Sequence, residues 1–425
     1  MAITRRAFIQ SLGMSLAAGA VPITGRQARA ASVARVVVIG GGFGGATAAK
    51  YCRMWGNHID ITLVERNPNF ISCPISNLVV GGIRTMAQIT KNYDKLASQY
   101  GIKIVQAEVT GIDVDKRKIA LRSGASLDYD RVIVAPGVDF MWELVPSMGD
   151  LATHDKILHA WKAGPQTLAL RKQLEDMQDG GIFAISIPKA PYRCPPGPYE
   201  RACQVANYFK KSKPKSKVLI LDSNEDVVSK KALFTKAWRD LYPGIIEYRS
   251  NSELQDVDAK TMTLKLQFED VKADVINVVP PVRAGNIAQT TGLITANKRW
   301  CEVDWLTYES KVAKNVHIVG DAILAGNLMP KSGHMANQHA KACAAAVVAL
   351  LSDQPVFEYP TLANTCYSFI SDTQVIHVAS VHQYHADKKT MLTVEGSGGV
   401  SAAASELEAS YADSWANNIW ADMLG

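Results

Sequence analysis

The stretch Arg35–Cys52 reads RVVVIGGGFGGATAAKYC. Arg35–Ile39 is a short, continuous apolar run rich in β-branched residues, the pattern of a strand buried on both faces. It runs into GGGFGG at 40–45, after which Ala46–Trp55 continues as a helix. A second strand, Ile59–Val64, ends at Glu65. Strand, glycine-rich turn, helix, strand and acid, in that order, form the unit that binds a dinucleotide. Gly40 permits the tight turn, Gly42 lets a pyrophosphate approach the backbone, and Gly45 lets helix and strand pack closely. The phosphates then lie at the helix N-terminus, where free N–H groups and the macrodipole favour negative charge. Glu65 is placed to accept from a ribose hydroxyl.

The same order recurs further along. Gln166–Met177 is an amphipathic helix with Leu170, Leu174 and Met177 on one stripe, ended by Gly180 and Gly181. Ile182–Ile187 reads as a strand, Tyr199–Lys211 as a helix opened by Pro198, and Lys217–Leu221 as a strand ending at Asp222. A second nucleotide would need a second glycine-rich turn, but residues 188–198 read PKAPYRCPPGP. Prolines lack N–H groups and fix φ, so this turn cannot wrap a phosphate in backbone donors. Cys194 stands in its place. On the residues alone it is a structural staple, a metal ligand or a redox nucleophile. The basic run KKSKPKSK at 210–217 reads as a solvated turn.

At 425 residues the chain is long enough for two or three domains, and 47% hydrophobic with 20% charged residues is ordinary for a soluble globular protein. The formal charge of +6 owes much to Arg5, Arg6, Arg26 and Arg29, which stand in a segment without acids. The remainder is near neutral and has no basic block interleaved with aromatics, which argues against nucleic acid as a partner. Residues 1–30 combine paired arginines in TRRAFIQ, a weakly apolar run Ser11–Ile23, and a small-x-small site at Ala28–Ala30. This is the pattern of a twin-arginine export signal that is removed on the far side, so the mature protein is expected in the periplasm. No stretch approaches ~18 uninterrupted apolar residues, so no transmembrane segment is expected.

An oxidising compartment permits disulfides, which bears on the seven cysteines. Cys52, Cys203 and Cys343 fall in Ala-rich helical segments and Cys301 in a strand-like one; all four read as buried small hydrophobes. Cys73, Cys194 and Cys366 read instead as loop residues, with Pro, Asn or Ser close by. No CxxC or CxxCH occurs, so neither a zinc knuckle nor a covalent haem is expected on this chain. His377, His382 and His385 fit no metal template, and a surface cluster is the simpler reading. The tail from about 361 ends in aromatic-rich YADSWANNIW at 411–420. It could pack over a cofactor, seat a partner or touch lipid, with lipid ranked last.

DRVIVAPG at 130–137 and VHIVGD at 316–321 resemble the later signatures of glutathione reductase-type flavoproteins. That resemblance implies an α/β fold with two dinucleotide-binding domains and a C-terminal interface domain, with FAD as the dinucleotide. It further implies a flavin site including Ala135, Gly137, Gly320, Asp321, Lys331, Ser332 and Gly333. More specifically, FISCPISN at 70–77, RCPPGPYE at 193–200, PKSG at 330–333 and NTCYS at 364–368 resemble the flavoprotein subunit of flavocytochrome c sulfide dehydrogenase. The match also takes in the valine, proline and glycine pattern of 275–285. The resemblance implies FAD joined covalently to Cys73 through its 8α-methyl carbon, a redox disulfide between Cys194 and Cys366, and Glu200 handling protons. It implies hydrosulfide as substrate and a separate c-type cytochrome chain, carrying the haem, as partner. Glu200 falls in the first turn of its helix, where the dipole is expected to favour the carboxylate.

The expected organisation is a signal at 1–30 and a FAD-binding part at 31–145, completed by 281–360. A second Rossmann-like unit that has lost its nucleotide loop is inserted at 146–280, and 361–425 covers the flavin or meets the partner. The nearest rival is a sulfide:quinone oxidoreductase, to which the chain is more loosely similar. A redox-sensing or electron-relay flavoprotein that turns over no sulfide is a second.

Overall fold

A computed structural model of the chain describes residues 33–425. The export signal expected at 1–30 lies outside the described residues. In chain order, the elements that matter here begin with β1 (Ala34–Ile39), α1 (Phe43–Trp55), β2 (Ile59–Glu65), β3 (Lys103–Gln106) and β4 (Arg131–Val134). An inserted series follows: α2 (Pro165–Asp176), β5 (Ile182–Ile187), α3 (Gly197–Ser212), β6 (Lys217–Asp222), α4 (Lys231–Leu241), β7 (Ile246–Arg249) and β8 (Val275–Val278). The chain then returns with β9 (Val316–Ile318) and α5 (Gly333–Leu351), and closes with β10 (Thr361–Phe369), β11 (Val375–His385) and α6 (Glu406–Leu424).

Two parallel sheets carry this architecture. The first has strand order β9–β4–β1–β2–β3, with Val36 beside Ile61 and Val132 beside Val316. Its central strand is buried from Val36 to Ile39, as the continuous apolar run predicts. The second has order β7–β6–β5–β8, with β5 and β6 aligned from Ile182 beside Lys217 to Ile187 beside Asp222. An antiparallel pair, Val138–Phe140 against Val282–Ala284, marks where the chain crosses out of the first sheet and back. β10 and β11 form an antiparallel sheet whose register sets Cys366 opposite Val378. α6 packs on α1 and on β11, burying Trp420, Met423 and Leu424.

Cys52, Cys203, Cys301 and Cys343 are all fully buried, as expected of small hydrophobes. The basic run after α3 is not wholly solvated. Lys213 is buried, and its ammonium donates to the carbonyls of Leu174 and Glu175 at 2.7 Å and to that of Met177. It closes the C-terminal end of α2, where unpaired carbonyls attract a cation. The three histidines of β11 do not form a surface cluster either. His377 and His385 share one strand face and His382 points to the other, where it is fully buried between the hydroxyls of Ser380 and Thr393. His377 instead meets Ser401 and Glu408, each at 3.0 Å.

Candidate active site

The C-terminal ends of β1, β4 and β9 open onto a cavity of about 590 Å³, the usual ligand position in a parallel sheet. At its entry, Gly40 has φ +96 and its N–H donates to Val64 O at 2.8 Å, a left-handed turn that glycine makes without strain. A Cβ on Gly45 would overlap the Gly40 carbonyl oxygen, so its role is close packing of helix on strand. A Cβ on Gly42 would meet nothing, and this open side faces the cavity. α1 begins there with no side-chain cap and no acid in its first turn, leaving N–H groups for an anion. Glu65 lines the same end. Its carboxylate accepts from Gly41 N at 2.7 Å and from the Asn67 backbone and side-chain N–H groups at 2.7 and 2.8 Å.

Ala135, Gly137, Gly320, Asp321, Ser332 and Gly333 also line the cavity. Lys331 does not. Its ammonium turns away to donate to Asp321 O at 3.0 Å and Ile323 O at 2.6 Å, and lies 3.6 Å from the centre of the Trp300 ring. Burial pulls its pKa down to about 8, and it serves to lock the turn after β9. One oxygen of Asp321 is buried without a partner, and burial raises the pKa of its carboxyl.

Cys73, Cys194 and Cys366, far apart in the chain, line this one cavity. Cys73 sits in the turn before the short helix Ser76–Val80, and its sulfur accepts from Ala163 N at 3.5 Å. Cys194 has φ +58, a strained conformation for a residue with a side chain. It is held there by its own N–H donating to Lys331 O at 2.8 Å and by Gly197 N donating to its carbonyl at 2.9 Å. Cys366 is not in a loop as its polar neighbours suggest. It lies within β10, where Asn364, Cys366 and Ser368 share a face. Cys194 and Cys366 are free thiols in this structure, as are all seven cysteines, rather than the disulfide that the resemblance implies. Burial pushes the Cys194 thiol up to about 12, and the Cys366 thiol is raised for the same reason.

Glu200 reaches the same place from the first turn of α3 and is buried. Its two oxygens accept from Phe369 N at 2.9 Å and Asn77 Nδ2 at 2.7 Å. The helix dipole does not decide its charge state, contrary to expectation. Desolvation raises its pKa above the ordinary glutamate value, outweighing both hydrogen bonds and the nearby cations.

Several neighbours carry no signal in a reading of spacing and type. Asn77, within FISCPISN, also donates to Gly197 O at 3.1 Å and accepts from Arg201 Nε at 3.0 Å, joining the Cys73 turn to α3. Arg201 is buried, with its pKa lowered to about 10 by desolvation, and donates to Ala160 O at 2.7 Å and Asn277 Oδ1 at 2.8 Å. Arg193 lines the cavity beside Cys194. Burial opposes its charge, but Cys73, Asp321 and Cys194 outweigh burial and raise its pKa. Lys230, just before α4, donates to Cys366 O at 3.0 Å and Ser368 Oγ at 2.7 Å, and desolvation lowers its pKa to about 8. The tail contributes too, since Ala412 and Trp415 of α6 line the cavity.

Comparison with known proteins gives three family profiles. "Pyridine nucleotide-disulphide oxidoreductase" matches residues 34–169. "Sulfide dehydrogenase [flavocytochrome c] flavoprotein chain, central" matches 167–280, and "Flavocytochrome c sulphide dehydrogenase, flavin-binding" matches 358–424. The sulfide dehydrogenase [flavocytochrome c] flavoprotein chain of Chlorobaculum thiosulfatiphilum is 58% identical over 45 residues, 11% of this chain and 94% of that sequence. The chain belongs to the flavocytochrome c sulfide dehydrogenase flavoprotein family. Mitochondrial sulfide:quinone oxidoreductase of Dictyostelium discoideum is 24% identical over 303 residues, 68% of this chain. The match spans 65% of that relative's own length. Among solved structures, the sulfide:quinone oxidoreductase of Aquifex aeolicus superposes with TM-score 0.77 at 17% identity, covering 92% of this chain and 91% of that one. Putidaredoxin reductase in its covalent complex with putidaredoxin gives 0.65 at 16%, covering 91% and 93%. The fold is thus the α/β glutathione reductase type expected from the sequence.

The residues present fit the flavin that this family binds. The open face of Gly42, the uncapped start of α1 and the unpartnered Asp321 oxygen suit an extended, anionic, hydroxyl-bearing ligand such as FAD.

Proposed function

We propose that this chain oxidises sulfide in the periplasm, through a Cys194–Cys366 disulfide and FAD, and delivers the electrons to a c-type cytochrome chain that carries the haem. The observation that carries this reading is the convergence of Cys73, Cys194 and Cys366 on the cavity that the dinucleotide turn opens into. The family and the sulfide-oxidising relatives support sulfide as the substrate.

In the oxidised pair, hydrosulfide displaces one cysteine sulfur from the other, leaving a persulfide and a thiolate. Arg193 and Lys230 place positive charge near the sulfurs and favour entry of an anion. Glu200, whose proton burial holds more tightly, is the group assigned to accept and return protons beside them. Bound in the cavity, FAD supplies a two-electron acceptor that can release electrons one at a time. Cys73 is the assigned attachment point for its 8α-methyl carbon.

Anaerobic addition of sulfide to the purified protein is the direct test. Bleaching of the flavin absorbance is expected, followed by faster reoxidation with a c-type cytochrome than with a soluble quinone. No bleaching would remove the function. Faster reoxidation by the quinone would favour the second reading, a sulfide:quinone oxidoreductase, for which the likeness along most of the chain to such enzymes speaks. Mass spectrometry of the denatured protein checks the thioether, with the flavin mass expected on the Cys73 peptide. Recovery from the periplasmic fraction, with an N-terminus near residue 31, checks export.

A further inference from the structure

The segment 158–164, which leads into α2, grips the Cys73 side chain with its backbone. Ala163 N–H donates to the sulfur at 3.5 Å, and the Trp161 carbonyl, also held by Arg193, meets the thiol in a longer contact of 4.0 Å. Within this segment Ala160 has φ +44, a left-handed conformation that a residue with a side chain keeps only when its surroundings impose it. Three side chains impose it. Gln166 Oε1, in the first turn of α2, accepts His159 N–H at 3.0 Å and Ala160 N–H at 2.9 Å. Asn277 Nδ2, on β8, donates to the Leu158 and His159 carbonyls at 2.6 and 2.8 Å. Arg201, on α3, donates to the His159 and Ala160 carbonyls at 3.1 and 2.7 Å. The same guanidinium also donates to Asn77 Oδ1 at 3.0 Å, in the short helix that follows Cys73. One rigid plane thus fixes both the turn that carries the sulfur and the segment that grips it.

We propose that this clamp lets the chain attach its own flavin, by holding Cys73 Sγ where it can attack the 8α-methyl carbon without the help of a second protein. The inference rests on the assignment of Cys73 above and deepens it, because it names the residues that drive the attachment. The bond from Sγ to the 8α carbon forms, while the thiol S–H bond and one 8α C–H bond break. The electron pair passes into the flavin, which keeps one proton and releases the other to water. A one-electron acceptor such as the c-type cytochrome then takes the two electrons singly, the remaining proton leaves, and the linked flavin is oxidised again. Holding a reacting atom in its attacking position removes entropy from the barrier before the reaction starts. Gln166 and Asn277 lie outside the cavity lining and act only through the segment, so both are positioning residues. Arg201 is a third.

The test takes the full chain purified from flavin-starved cells, adds FAD with ferricyanide as the one-electron acceptor, and follows flavin mass on the denatured Cys73 peptide with time. The wild type is expected to link its flavin unaided. Gln166→Leu should lower the limiting rate about tenfold and leave the half-saturating FAD concentration unmoved. Gln166→Glu keeps the acceptor oxygen and should match the wild type. Linkage that needs cell extract, an unchanged rate in Gln166→Leu, or a change confined to FAD affinity would overturn the clamp. The holoenzyme gives a second reading, since Gln166→Leu from flavin-replete cells should release part of its FAD on denaturation where the wild type releases none. If that variant does not fold, the wild type still decides. With the Cys194–Cys366 pair reduced beforehand and no other acceptor present, linkage should bleach the flavin, and ferricyanide should restore the colour. Linkage without bleaching overturns the scheme. A linked flavin that sulfide fails to bleach sinks the sulfide reading and keeps the clamp, whereas a wild-type Cys73 peptide without flavin mass overturns the clamp whatever sulfide does.

Discussion

The turn after β1 and the turn after β5 hold equivalent positions in two copies of one strand–turn–helix–strand plan. The first offers N–H groups at an uncapped helix start, an open glycine face and an acid at the edge of the cavity. The second places prolines at 188, 191, 195, 196 and 198, and its acid is fully buried and does not line the cavity, whereas Glu65 does. Asp222 is fully buried and accepts from Tyr199 and Tyr248 at 2.6 and 3.1 Å on one oxygen, and from Asn224 N at 2.9 Å on the other. Both halves of a nucleotide site, the phosphate donors and the ribose acceptor, are thus spent in the second copy. The backbone plan is shared, and the supply of free donors and acceptors decides what binds. What the second turn presents to the cavity instead is Cys194.

The largest effect expected of this contrast is at that cysteine. Cys194→Ser should lower the rate of sulfide-driven flavin bleaching by about a thousandfold or more, read by anaerobic stopped flow. Survival of the rate would mean that the second turn has not been turned to redox use. Next comes the first turn. Gly45→Val drives a side chain into the Gly40 carbonyl and should cost about 3 kcal/mol, seen as a lower denaturant midpoint and poorer flavin retention. A neutral result there would break the packing argument for the glycine motif. Asp222→Asn should cost about 2 kcal/mol, because one amide oxygen cannot serve two tyrosine hydroxyls and Asn224 together. Addition of NADH should still leave the flavin unbleached, since the prolines remain.

The smallest effect is a matter of pH. Glu200 has its pKa raised by burial in the folded chain, so the folded state binds this proton more tightly than the unfolded state. The associated stability is present in acid and is lost as pH rises from the ordinary glutamate value through the raised one. Glu200→Gln loses about 1 kcal/mol of hydrogen bonding but escapes that loss. Its melting temperature relative to wild type should therefore climb with pH across this window. A flat difference would show that Glu200 is not displaced from its ordinary titration.

The parts visible in the sequence are those governed by local rules. Continuous apolar runs mark β1 and β5 to within a residue, and the glycine spacing marks the cavity entry. Quoted motifs also bracketed residues whose roles only the fold reveals. Asn77 and Arg193 sit inside FISCPISN and RCPPGPYE, yet their partners come from α3, the Trp161 carbonyl and the cavity. Cys366 reads as a loop residue because a strand with polar residues on its cavity face resembles a turn in composition. At Glu200 and Lys331 the local signal is incomplete for one reason. Helix dipole and motif neighbourhood are local, whereas desolvation and the direction of a long side chain depend on distant packing. Lys230 had no signal at all, since SNEDVVSKK reads as an ordinary charged surface segment.

The cavity draws its walls from residues as far apart as Gly42 and Trp415, and β9 must find its place beside β4 after the whole inserted sheet has been made. Such non-local pairing is slow to form. During synthesis, no nascent chain shorter than about Trp415 can offer a complete binding wall. Cofactor capture is thereby placed among the last events in the life of a new molecule, and a late truncation should leave a polypeptide with both sheets yet colourless.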